Sequence, residues 1–80
     1  MSIDDAIKEL DRPGANIRFR ELLSIAQRFF GPPRIKGSHH VFKMPWPLNP
    51  RINLQQDGSQ AKPYQIRQVV QALKKLKEQE

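Results

Sequence analysis

His39 and His40, in the run Gly37-Ser38-His39-His40-Val41-Phe42-Lys43, are the only histidines in the chain and its best-equipped residues for proton transfer near neutral pH. The unperturbed pKa of an imidazole is about 6.5, so it can take a proton in one step of a reaction and return it in another. Arg34, Lys36 and Lys43 flank the pair, and cations beside a proton carrier suit chemistry on an anion. A plainer alternative stands beside this one. Polar side chains on a small domain's surface need no task, and neighbours on a strand face opposite ways, so an extended backbone would keep the two rings apart.

The elements that must position this run are legible from periodicity. Ser2 followed by Ile3, Ala6, Ile7 and Leu10 predicts a short amphipathic helix capped by Ser2, which Arg12-Pro13-Gly14 ends. Asn16 is a good N-cap for a second helix carrying Phe19, Leu22, Leu23, Ala26, Phe29 and Phe30 on one stripe, and Gly31-Pro32-Pro33 stops it. From Arg34 to Met44 the period changes to two, which predicts a strand preceded by a tight approach at Gly37. If Phe42 points into the core, His40 and Met44 share its face, and His39, Val41 and Lys43 take the other. His39 is then the better placed of the two rings for contact with solvent.

Pro45-Trp46-Pro47-Leu48-Asn49-Pro50 cannot pair as a central strand and is expected to be a stiff connector, with Trp46 covering a core edge rather than stacking on a base. Arg51-Ile52-Asn53-Leu54-Gln55 alternates as a second strand, Gln56-Asp57-Gly58-Ser59 reads as a hairpin turn, and a short third strand is expected around Ser59 to Lys62. Pro63 opens a last helix striped by Ile66, Val69, Val70, Leu73 and Leu76, with Lys74, Lys75 and Lys77 where the helix dipole favours cations. The expected class is α+β: an α-β-β-β-α order like that of double-stranded RNA-binding domains, one antiparallel sheet covered by two helices, with an extra short N-terminal helix.

Composition limits the partners. The 80 residues make one domain with room for a modest core, and the absence of cysteine removes disulfides and thiolate metal sites. Neither a basic leader nor a long apolar run opens the sequence, so a cytoplasmic protein with no membrane segment is expected. The net charge of +6 hides an asymmetry: residues 1–11 sum to −3, while residues 12–77 hold thirteen cations against Glu21 and Asp57, a net of +11. Such a field attracts nucleic acid, or an acidic protein that competes with it; solubility alone is the plain alternative.

The Gly37–Lys43 block, followed by Pro45-Trp46-Pro47, Arg51–Gln55 and Ala61-Lys62-Pro63-Tyr64-Gln65-Ile66-Arg67-Gln68-Val69-Val70, resembles the HicA-type toxins of bacterial toxin-antitoxin pairs, over about residues 34–76. The resemblance implies one HicA-like domain over 1–80 with a double-stranded RNA-binding-like fold. It implies metal-independent, cofactor-free cleavage of mRNA through the His of a Gly-Ser-His motif, and neutralisation by a HicB-type antitoxin. It points to His39 as catalytic, with His40 held beside it because some members carry their His one place later. Residues 1–13 and the Pro-rich connector depart from the shortest members. On this reading Arg34, Lys36 and Lys43 clamp phosphate, Ser38 orients backbone or phosphate, and Gly37 allows close approach of a chain. A non-catalytic RNA-binding module and a basic protein-interaction domain remain the rival expectations.

Overall fold

The computed structural model describes residues 1–48 and 50–79; Asn49, inside the Pro-rich connector, and Glu80 lie outside the described residues. The chain runs α1 (Ile3–Leu10), α2 (Phe19–Phe30), β1 (Arg34–Lys36), β2 (His39–Lys43), β3 (Arg51–Gln55) and α3 (Pro63–Glu78). The sheet is antiparallel in the order β1-β2-β3, so the α+β class with three strands and three helices holds.

Two strand assignments change. The expected single strand from Arg34 to Met44 is a hairpin, with Gly37 and Ser38 forming a two-residue turn between Lys36 and His39. Gly37 has φ +61° and Ser38 does not share the positive sign, the pattern of a type II′ turn, whose twist matches that of the flanking strands. A Cβ at Gly37 would meet nothing within 4 Å, so the backbone angle, not crowding inside the protein, demands glycine there.

The third strand expected near Ser59 to Lys62 is reduced to one bridge, Gln60 against Arg18. The Phe19 amide donates to Ser59 O (2.9 Å) and the Ala61 amide to Ile17 O (2.8 Å), so Asp57-Gly58 turns the chain toward the start of α2 instead of back along β3. The same pairing moves the helix start. Residues 17–18 are held extended, α2 begins at Phe19 with Arg18 as its uncapped N-cap, and Asn16 stays outside the helix.

The expected cap of α1 and the inward faces of β2 and β3 are realised as read. Ser2 Oγ accepts from the Asp5 amide (3.1 Å) and Asp5 Oδ2 accepts from the Ser2 amide (3.2 Å), a reciprocal cap on α1. Phe42, Met44, Ile52 and Leu54 point from the inner sheet face into a core completed by Leu22, Ile25 and Ala26 of α2 and Val69, Val70 and Leu73 of α3. The helix α1 packs on α2 and α3 and adds Ala6 and Leu10, so the N-terminal segment is part of the same core. Trp46 is half-buried at the core edge, its ring edge-on to Phe30 at 6.3 Å. No helix among the described residues is long and apolar enough to cross a membrane.

Candidate nucleic-acid interface

Residues opposite one another in an antiparallel ladder share a face, so the register fixes what the uncovered side of the sheet displays. Lys36, His39 and Gln55 form one row; Arg34, Val41 and Asn53 form the next; Lys43 and Arg51 form the last. The face carries four cations and no carboxylate, and the described ion pairs all lie elsewhere, at Glu9–Arg12, Asp57–Lys62 and Asp4–Lys77. Lys43 sits directly opposite Arg51, an arrangement that destabilises a sheet by a few tenths of a kcal/mol or more. With Arg34 and the half-buried Val41 they enclose a depression of about 130 Å³, of a size and charge to hold a phosphate. Lys43 stands four residues along β2 from His39, about 13 Å at the usual rise.

His39 faces this surface. The Asn53 side-chain amide lies against its Nδ1, with Nδ2 at 3.0 Å and Oδ1 at 3.2 Å. The amide can therefore donate to Nδ1 when the proton is on Nε2, or accept from it when Nδ1 is protonated. The described hydrogen bonds of this ring all use Nδ1, so among the described residues Nε2 has no hydrogen-bond partner. Ser38 is tied to the same face, since Gln55 Nε2 donates to its Oγ at 3.3 Å.

His40 belongs to the other side. Its Nδ1 donates to Leu54 O at 3.3 Å, and its ring tilts against Phe19 with centroids 5.7 Å apart. Of the residues the sequence singled out, the sheet thus gathers Arg34, Lys36, Ser38, His39 and Lys43 around one surface, places Gly37 in the turn beneath it, and turns His40 away. Three residues of this surface, Arg51, Asn53 and Gln55, were not among them. All three alternate along β3 with the buried Ile52 and Leu54, but only the register across the connector sets Asn53 beside His39.

Among the described residues, no three His, Cys, Asp or Glu side chains gather where they could hold a metal ion. Comparison with protein-family models, with curated proteins and with solved structures found no match.

Proposed function

We propose that this chain is an endoribonuclease of the HicA type, a cytoplasmic toxin that cleaves mRNA with His39 as its proton carrier and is neutralised by a HicB-type antitoxin. One observation carries the reading: a single imidazole stands on an acid-free, four-cation sheet face, hydrogen-bonded to an amide that serves both of its protonation states. The order α2-β1-β2-β3-α3 also follows the α-β-β-β-α plan of double-stranded RNA-binding domains, with α1 as an addition.

The chemistry follows from the groups present. The ribose 2′-oxygen attacks the adjacent phosphorus and the bond from phosphorus to the 5′-oxygen breaks. His39 Nε2 either takes the 2′-hydroxyl proton or supplies the proton the 5′-oxygen gains, and water handles the other transfer. Lys36, the cation in the same row, stabilises charge on the phosphorane, and Arg34, Lys43 and Arg51 hold a phosphate further along the strand. His40, on the opposite face, takes no part. With one proton carrier, the rate enhancement is modest.

The test is incubation of purified protein with a transcript in EDTA, beside expression of wild type and His39→Ala in growing cells. Cleavage in EDTA and growth inhibition by wild type, both lost in His39→Ala, support the reading. Salt-sensitive binding without cleavage would replace it with the non-catalytic RNA-binding module.

A further inference from the structure

The inner-side flank of β3 carries a second surface, which adjoins the His39 face at Arg51. The Met44 amide donates to Pro50 O at 3.1 Å, which makes that pair hydrogen-bonded and, by alternation, Phe42–Ile52 and His40–Leu54 as well. The N–H and C=O groups of Arg51, Asn53 and Gln55 therefore point away from β2, along the free edge of the sheet. Gln65 confirms the direction: its Nε2 donates to Gln55 O at 2.9 Å from the first turn of α3 and closes that end of the edge. Among the described residues, the outward backbone groups of Arg51 and Asn53 have no such partner.

Beside this edge runs a groove. It is lined by Gln68, Gln71, Ala72 and Lys75, one stripe of α3 at helical spacing, and by Ile52 of β3 and Trp46 of the connector. Its volume of about 220 Å³ falls below that of ordinary small-molecule pockets, about 300–1,000 Å³, and is suited to side chains projecting from an extended chain. Its charged lining is Arg51 and Lys75, with the Lys75 ammonium 4.9 Å from the Trp46 ring centre, and it contains no carboxylate.

We propose that an extended segment of a partner protein, alternating apolar and acidic residues, adds as a fourth strand to the β3 edge between Arg51 and Asn53. The pattern is dictated by the pleat. On an added strand, alternate side chains enter the groove against Trp46, Ile52 and Ala72, and the intervening ones extend the cationic outer face beside Arg51. Backbone hydrogen bonds supply affinity, and the apolar floor and cationic surroundings select the sequence.

The probe is a short synthetic peptide alternating leucine and glutamate, with a scrambled peptide of the same composition and a single-stranded RNA of equal charge as controls. Trp46, the only tryptophan in the sequence, reports occupancy by its fluorescence, and amide hydrogen exchange reports pairing at the edge. The alternating peptide is expected to shift Trp46 emission, to slow exchange at the Arg51 and Asn53 amides, and to bind at least about tenfold more tightly than the scramble. Gln71→Glu and Lys75→Glu, both at exposed helix positions, are expected to weaken it about tenfold each while RNA cleavage stays at the wild-type rate. Equal binding of the scramble, unchanged exchange at the edge, indifference to both substitutions, or RNA as the better ligand at Trp46 would each overturn the proposal. None of these readouts requires that the protein cleave RNA, so this surface and the His39 reading fail separately.

Discussion

The two faces of one small sheet show how little chain separates a packed residue from a chemical one. His39 and His40 are consecutive, yet one ring meets Asn53 on a cationic surface and the other meets Phe19 and the Leu54 carbonyl. The inner face is settled by burial: Phe42 and Leu54 are at most 1% exposed and contribute the core. The outer face gains nothing from the fold for its like charges, and it sets Lys43 against Arg51 at a cost. On the proposed function, the surface accepts that cost because its cations meet the RNA backbone.

The contrast can be broken from either side. Phe42→Ala should be the most damaging single change, destabilising the protein by about 3–5 kcal/mol in urea unfolding, because it leaves a cavity beneath both covering helices. An outer-face change of similar size, Arg51→Ala, should leave the unfolding midpoint unchanged or slightly raised. On the proposed function its effect should appear in RNA affinity, where the slope of log K against log salt should fall by about one phosphate contact. A large loss of stability from Arg51→Ala would erase the distinction between the faces.

Gly37→Ala tests the turn that joins β1 to β2. The positive φ costs an alanine on the order of 1–3 kcal/mol, with no clash to add to it, so the variant should fold, unfold at lower urea, and keep its hairpin register by amide exchange. The smallest effect should come from Ser2→Ala, about 1 kcal/mol or less, far from either face. Its pH dependence has a definite sign. The Asp5 carboxyl is held below its ordinary value of 3.8, chiefly by the Ser2 amide and then by the Ser2 hydroxyl. The contribution is therefore present above the ordinary value and lost as pH falls through the lowered one. Ser2→Ala keeps the amide and removes only the hydroxyl, so the gap between wild type and variant should narrow slightly in acid, and a gap that widened would contradict the cap.

Much of this was legible in the sequence for identifiable reasons. The apolar stripes of the helices and the alternation in β2 and β3 are periodic signals that core burial enforces, and they assigned His39 and His40 to opposite faces before any coordinates. The Gly37-Ser38 turn was also present as a signal, since Gly-Ser is a pair that a two-residue hairpin favours. The short β1 before it looked instead like the beginning of β2. Asp57-Gly58 carried a stronger hairpin signature, yet the chain beyond it pairs with residues 17–19, far away in sequence, and that same pairing overrode Asn16 as a cap. Gln65 was hidden for a related reason: at 1% exposure it is a buried polar residue whose burial depends on meeting both Gln55 O and the Lys62 amide, partners no local pattern announces. Asn53 depended on register, which the connector sets.

The central claim rests on the asymmetry of the two histidines, and a side-by-side assay of His39→Ala and His40→Ala measures it most directly, with cleavage of one transcript by equal amounts of folded protein in EDTA. His39→Ala should lose about 10²–10⁴-fold in rate at unchanged stability, and His40→Ala should cleave at the wild-type rate while unfolding at lower urea. Wild-type cleavage by His39→Ala, or loss of cleavage in a stable His40→Ala, would contradict it.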